Sequence, residues 1–250
     1  MKQYWLTAAL MVCAVAVQNV HCEDNKASGW KGKAELGLVN TSGNTKTSST
    51  NARFGMIHEG IQWRQEYKLE QLKTRSQVTD STTGNREEQL TAERSFGLAK
   101  VDYKINEAIY SYGLVDYTDD RFSGYDYVAN ASLGLGYSFI KRDDMELSGE
   151  LGFGRRRSQL EDSLEAVNES VSRLAGKFFM QITETARFNQ ELVAEFGEEF
   201  DKTKSTTSLT VNINSSMALS LGYEVIRVSD PPDDKKKSDS QTTVNLVYSF

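Results

Sequence analysis

Histidine is the side chain most often used for acid–base catalysis, and the chain holds only two histidines, His21 and His58. Hydrolases use a histidine as the general base beside a nucleophile, and imidazole is also a common metal ligand. His21 lies in the leader described below, and the strand pattern predicts that His58 lies on a tight turn at one rim. We therefore expect no catalytic residue and no metal site. A lipid or peptide hydrolase that depends on His58 is the alternative.

Acidic clusters and glycines are the other motifs that suggest chemistry. Gly134 and Gly136 lack the third glycine of a dinucleotide motif, and no Gly-x-x-x-x-Gly-Lys phosphate loop is present, so no cofactor is expected. The acidic clusters could hold a cation, but solvated loops have the same composition, and such charges also suit lipopolysaccharide phosphates and their bridging ions. These clusters are Asp119 with Asp120, and Asp230, Asp233 and Asp234 followed by Lys235, Lys236 and Lys237.

Residues 1–22 have the pattern of a secretory signal peptide. Lys2 supplies the positive charge, residues 6–17 form an apolar stretch too short to span a bilayer, and Cys22 suits the last position before cleavage. Both cysteines, Cys13 and Cys22, are then removed. Residues 23–250 are expected to form one exported domain without disulfides, which must be stabilised in some other way.

Beyond the leader, apolar and polar residues alternate in steps of two, which is typical of β-strands. The segments 86–103 and 107–118 are less regular. In the first of them Arg94 is in phase with Phe96 and Leu98, so a β-bulge or a short lipid-facing band is needed. The clearest segment, 125–139, has one apolar face, formed by Tyr127, Ala129, Ala131, Leu133, Leu135, Tyr137 and Phe139.

Short and longer connections alternate between these segments, which predicts an all-β fold. We expect a single antiparallel transmembrane β-barrel, most simply of twelve strands, with short periplasmic turns and longer outer loops. Ten or fourteen strands are possible if residues 86–118 are misassigned. The mean hydropathy of −0.52 and the absence of a long apolar run after the leader exclude a helical membrane protein. The net charge of −6 argues against nucleic acid as a partner.

A soluble β-sandwich would show similar half-polar strands. Aromatic residues at the strand ends favour the membrane barrel instead, because they resemble the girdles at membrane interfaces. We therefore predict the outer membrane of a Gram-negative cell as the location, with lipid and lipopolysaccharide as partners. The residues at these strand ends are Trp30, Tyr125, Tyr127, Tyr137, Phe139, Tyr248 and Phe250.

Charged residues of both signs alternate with the apolar faces and are predicted to line the lumen. Buried charges need partners. A mutually paired lumen is either a plug or the lining of a narrow pore for small solutes or ions, so a pore and a structural envelope barrel both remain open. The candidates are Arg64, Glu66, Lys68, Glu70, Glu93, Glu150, Arg173, Lys177, Glu191, Glu195 and Glu224.

The chain ends on an amphipathic segment in which Tyr248 and Phe250 share one face. This segment must pair with the first strand to close the barrel. Phe250 is then either an interfacial anchor or part of an assembly signal read by the outer-membrane insertion machinery. The oligomeric state is not predicted.

Several motifs resemble the domain-of-unknown-function 481 family, whose members are described as salt-induced outer-membrane proteins. The resemblance implies an outer-membrane barrel with some link to salt or osmotic response, and it supplies no catalytic residue. Val128 departs from the pattern, which has a basic residue there. The motifs are Trp30-Lys31-Gly32, Leu36-Gly37, residues 41–45, residues 120–126, residues 134–137 and residues 150–155.

Overall fold

The computed structural model describes residues 29–41, 47–79, 86–161, 163–232 and 235–250. The predicted signal peptide lies outside these residues. No helix in the described part of the chain is long and apolar enough to cross a membrane. The strands are β1 Gly29–Thr41, β2 Thr47–Glu59, β3 Trp63–Thr79, β4 Arg86–Lys104, β5 Ile109–Asp120, β6 Tyr125–Lys141, β7 Met145–Leu160, β8 Ala166–Gln181, β9 Ala186–Phe196, β10 Lys202–Asn212, β11 Met217–Val228 and β12 Ser238–Ser249.

These twelve strands form a closed barrel, in which each strand pairs antiparallel with its sequence neighbours and β1 pairs with β12. The prediction of a twelve-stranded antiparallel barrel is therefore confirmed. The short connections 60–62, 105–108, 142–144, 182–185 and 213–216 lie together at one end, which we call the turn rim. The opposite end, which we call the loop rim, includes the described connections 121–124 and 197–201.

Along the strands, polar residues are buried and apolar residues are exposed, which is the reverse of the pattern in a soluble protein. In β6, Leu133 and Leu135 are exposed on the outer surface, while Asn130 and Ser132 are buried inside. The interior thus collects polar and charged groups, and the outer surface is apolar. This inversion follows directly from the period of two, because consecutive side chains point to opposite faces of the sheet.

The irregular segment 86–103 contains the expected bulge. Thr74 pairs with Ala92 and Arg75 pairs with Leu90, so the register shifts at this point of β4. The bulge does not remove Arg94 from the phase of Phe96, however. Both face the interior, where Arg94 meets Glu224 and Phe96 lies under the Lys204 ammonium at 5.0 Å. Of the two alternatives for this segment, the bulge is therefore present, and Phe96 does not belong to a lipid-facing band.

A second bulge corrects the expected position of Tyr125. The register of β6 shifts between Tyr125 and Tyr127, which skips Asp126 and turns Tyr125 to the other side of the sheet. Tyr125 packs against Phe200 in the barrel mouth, with ring centroids 5.3 Å apart. It therefore does not belong to the aromatic girdle, whereas Tyr127 stacks on Tyr117 on the outer surface.

The closure between β1 and β12 is the shortest ladder of the barrel. It has four residue pairs, from Lys33↔Ser249 to Leu36↔Leu246, and Gly32 and Phe250 add two backbone hydrogen bonds of 2.8 and 3.0 Å. Beyond Leu36 the two strands part and leave a cavity of about 110 Å³. The Asn245 side chain bridges the point of separation, accepting from Asn51 at 3.2 Å and donating to Glu35 at 3.0 Å.

Candidate functional site in the barrel interior

Four residues of opposite charge meet in the middle of the barrel, and we call them the central ring. Glu66 and Lys68 project from β3, Lys177 from β8 and Glu191 from β9. The ion pairs Lys68–Glu66, Glu66–Lys177 and Lys68–Glu191 measure 3.0, 3.2 and 3.2 Å, and Lys177–Glu191 closes the ring at 3.7 Å. Because five strands separate β3 from β9 in either direction, this ring bridges the full width of the barrel.

The central ring is not dry. The side chains of Lys68 and Lys177 are each 28% exposed and that of Glu191 is 31% exposed, although they lie inside the barrel. Because these side chains point to the inside of the barrel, their exposed surface faces the interior space and not the outer surface. Water can therefore reach these charges, and the ring places paired charges of both signs across the lumen.

A second cluster lies on the loop-rim side of the ring. Glu224 of β11 accepts from Arg94 at 2.5 Å and pairs with Lys204 at 3.0 Å. Lys204 and Arg53 each lie 3.9 Å from Glu70. Because these residues come from β2, β3, β4, β10 and β11, the cluster also crosses the lumen.

A third group, the wall cluster, is almost completely dry. Glu150 of β7 accepts from Lys100 at 2.5 Å, from Arg173 at 2.9 Å and from the Tyr110 hydroxyl at 2.9 Å. Lys100 also pairs with Asp102 at 2.9 Å. Such a network is favourable only when every charge has a partner, and here each one has. The wall cluster thus fills the lumen beside β4, β5, β7 and β8.

The aromatic residues of the wall cluster explain why β5 is irregular in sequence. Tyr110 and Tyr112 point inward, while Val115 and Tyr117 are exposed outside. Glycines on the next strands make room for the inward rings. A Cβ added to Gly136 would overlap the Tyr110 ring, so this close approach requires glycine.

Arg156 organises a fourth cluster at the loop rim and is completely buried, at 0% exposure. Its guanidinium donates to Glu169 at 3.1 Å, to Glu195 at 3.2 Å and to the Phe200 carbonyl at 2.7 Å. The guanidinium also lies 4.0 Å from the centre of the Phe200 ring. Arg156 therefore holds connection 197–201 inside the mouth of the barrel.

The ten main candidates from the sequence all take part in ion pairs within these four clusters. Glu93 is different: it lies on the outer surface and pairs with Lys73 and Arg121 at 3.0 and 2.9 Å, so its assignment to the lumen was wrong. Arg64 joins two of the clusters, because it pairs with both Glu66 and Asp102. The ten candidates are Arg64, Glu66, Lys68, Glu70, Glu150, Arg173, Lys177, Glu191, Glu195 and Glu224.

Sequence reasoning missed several interior charges. The period of two contained the signal for some of them, because Arg156 is in phase with Glu150 and Lys204 is in phase with Thr210. Nothing in the sequence marked their partners on distant strands. The missed residues are Arg53, Arg94, Lys100, Asp102, Arg156, Glu169 and Lys204.

His58 lies near the end of β2 rather than on a turn, which corrects the sequence expectation. Its ring packs on Trp30 on the outer surface, with centroids 4.8 Å apart. Among the described residues, no group of three or more histidine, cysteine or acidic side chains is arranged to hold a metal ion. Asp120 instead accepts a hydrogen bond from the Phe122 amide within its own turn at 3.1 Å, while Asp233 and Asp234 lie outside the described residues.

Phe250 is held by both its backbone and its ring. Its backbone pairs with Gly32, and its ring packs beside Tyr248 and Phe54 at centroid distances of 6.1 and 6.3 Å. The backbone bonds help to close the barrel, whereas the ring is exposed on the outer surface. A side-chain substitution can therefore separate the two contributions.

We predict that Phe250→Ala folds in detergent but inserts slowly in cells. The variant keeps both backbone bonds to Gly32, so loss of the ring should lower stability by only about 1–3 kcal/mol. Refolding is followed by heat-modifiable gel migration, and insertion by the amount of precursor in the periplasm. Tyr248→Ala, which removes the neighbouring ring, is the comparison. Insertion of Phe250→Ala at the wild-type rate would leave the ring only an anchoring role.

Comparison with known proteins gives one family, one curated relative and a set of solved barrels. The family described as "Protein of unknown function, DUF481" matches residues 34–250. The uncharacterized protein YdiY of Escherichia coli (strain K12) is 28% identical over 233 residues, which cover 91% of this chain and 87% of YdiY.

The solved structures are similar at low identity. The translocator domain of the autotransporter NalP from Neisseria meningitidis is 12% identical with a TM-score of 0.49, covering 91% of this chain and 90% of that one. The KdgM porin in complex with disordered oligogalacturonate is 12% identical with a TM-score of 0.45, covering 88% and 99%.

Proposed function

Since this chain belongs to the DUF481 family of proteins of unknown function, we infer its role from its own structure. We propose that it is a narrow, non-enzymatic outer-membrane pore for small ions. The central ring is the observation that carries this proposal. It spans the lumen with paired charges of both signs, and three of its four side chains stay partly exposed to the interior space. Charges of both signs across the lumen suit the passage of small ions and disfavour large solutes.

The outer surface supports the membrane location. Leu133 and Phe153, at mid-barrel, are 73% and 68% exposed, which is costly for a protein surrounded by water. Towards the turn rim the exposed residues become aromatic, as in the interfacial girdles of membrane barrels. This girdle consists of Trp30, Trp63, Tyr103, Tyr137, Phe139, Tyr248 and Phe250.

A structural barrel without conduction is the second candidate, and the wall cluster favours it. Lys100, Glu150 and Arg173 fill one side of the lumen with tightly paired, dry charges. If the central ring were equally immobile, no ion could pass. The two candidates therefore differ in whether the ring lets ions through, which is a measurable property.

Single-channel recording in planar bilayers tests the proposal. Wild-type protein should give small, discrete conductance steps, and Glu191→Gln should shift the selectivity towards anions because Lys68 and Lys177 each lose a carboxylate partner. Glu93→Gln is the matched control, since Glu93 is also ion-paired but lies outside the barrel. The control should conduct like wild type.

The outcomes separate the three classes of function. Steps that change in Glu191→Gln and not in Glu93→Gln support the pore. A folded, inserted barrel that gives no steps supports the structural role. A lipid or peptide hydrolase activity that disappears in His58→Ala would instead support the enzyme and overturn the proposal. The link to salt or osmotic response stays a prediction.

A further inference from the structure

Three consecutive arginines near the end of β7 have different environments. Arg156 is buried in the mouth, whereas Arg155 and Arg157 are exposed on the outer surface. Their position along the barrel is defined by Phe153, which is two residues before Arg155 and belongs to the exposed apolar surface. Arg155 and Arg157 therefore lie just beyond the apolar belt, on the side of the loop rim.

The neighbouring strands present small or polar side chains beside the two arginines. Phe153 is flanked by Leu133 of β6 and Ser172 of β8. Arg155 is flanked by Ala131 and Ser170, and Arg157 is flanked by Ala129 and Asn168. Ser170 and Asn168 are both exposed on the strand beside the arginines. At this level β6 thus presents alanines and β8 presents polar residues.

These two cations have no acidic partner within salt-bridge distance among the residues that the structure describes. Lys73 and Arg121 of the outer surface, in contrast, are both neutralised by Glu93 at 3.0 and 2.9 Å. The polar contact of Arg157 is with Tyr127, whose hydroxyl accepts from Nε at 3.0 Å. Since a guanidinium carries five N–H donors, four N–H groups of Arg157 remain for another ligand.

The aromatic neighbours also point to an interfacial ligand. Tyr127, which fixes Arg157, stacks on Tyr117 with ring centroids 5.9 Å apart. Tyrosines prefer the headgroup level of a membrane, where one end of the ring is apolar and the other is hydrated. Arg157 is therefore oriented by a residue that itself marks the level of lipid headgroups.

We infer that Arg155 and Arg157 bind a phosphate of the lipopolysaccharide headgroup in the surrounding leaflet. Arginine is suited to this ligand because its planar fork donates two parallel hydrogen bonds to phosphate oxygens. Ser170 and Asn168 supply further donors beside it, and the adjacent apolar belt accommodates the acyl chains. This inference rests on the membrane location proposed above, and it identifies a lipid site on the outer surface, separate from the lumen.

Native mass spectrometry of the detergent-folded barrel tests the site with lipid A as the probe. Wild type should retain lipid A that carries both phosphates and should bind lipid A stripped of phosphate much more weakly. The double variant Arg155→Gln/Arg157→Gln should lose about 10-fold or more in affinity, because two charge-assisted contacts are removed. The Arg155→Lys/Arg157→Lys variant should fall between the two. Arg142→Gln, an exposed arginine at the turn rim, is the matched control.

Equal retention of lipid A by wild type and the double glutamine variant would overturn the inference, and so would equal binding of lipid A with and without phosphate. Heat-modifiable migration confirms that each variant is folded. The double variant should conduct like wild type in planar bilayers, because neither arginine faces the lumen. Failure of the lipid site therefore leaves the pore proposal intact, whereas a mature protein that stays soluble without detergent removes the basis of both.

Discussion

Replacing Arg156 with methionine is expected to lower the free energy of unfolding by about 3–5 kcal/mol, the usual result of removing one partner from a buried ion network. The substitution keeps much of the side-chain volume but leaves Glu169 and Glu195 without their shared cation. It also removes the hydrogen bond to the Phe200 carbonyl, so connection 197–201 loses one of its attachments inside the mouth. Denaturant titration in detergent, followed by tryptophan fluorescence, measures the change.

The adjacent arginines are the controls for this prediction. Arg155→Met and Arg157→Met change the same residue type one position away, but these side chains are exposed on the outer surface. Each should change the free energy of unfolding by no more than about 0.5 kcal/mol. Equal effects at all three positions would contradict the placement of Arg156 inside the barrel. A second readout is the conductance, which should rise in Arg156→Met if connection 197–201 leaves the mouth.

Glu150→Gln should have an effect of similar size, again about 3–5 kcal/mol. The change is nearly isosteric, so it tests charge rather than volume. Glu150 is the acceptor for Lys100, Arg173 and Tyr110, and its neutralisation leaves Arg173 without a carboxylate partner. The measurement is the same denaturant titration. Glu146→Gln, an exposed carboxylate on the same strand, should stay within about 0.5 kcal/mol of wild type.

A double-mutant cycle separates the ion pair from general disruption. If Glu150 and Arg173 stabilise each other, Glu150→Gln/Arg173→Gln should cost less than the sum of the two single changes. The double variant no longer buries an unpaired guanidinium beside a neutral amide. Additive effects of the two changes would show that the wall cluster acts through packing alone.

Much of the fold could be predicted from the pattern of residues in strands such as 125–139. Each strand forms part of the barrel wall, with one face on the apolar outer surface and the other towards the polar interior. Alternation in steps of two therefore identifies both the strand and its two faces. Counting such segments gives the number of strands, and the alternation of short and longer connections gives the two rims.

One exception to this pattern arose where the register shifts. Tyr125 is in phase with Tyr127 in the sequence, but the skipped residue Asp126 turns it inward towards Phe200. Arg94 and Phe96 are a different case, because they lie in a regular part of β4 and both face the lumen, so an aromatic ring lies among interior charges. A bulge changes the face of a side chain without changing its spacing in the sequence, so periodicity alone does not locate it.

Most of the strands, most of their faces and the set of charges that avoid lipid follow from the residue pattern alone. The residue pattern does not predict which of those charges meet. Lys68 and Glu191 are far apart in the chain and lie on strands at opposite sides of the barrel, yet closure brings their side chains to 3.2 Å. Alternation is a local property of one strand, whereas pairing across a lumen depends on the tilt, register and closure of all twelve strands.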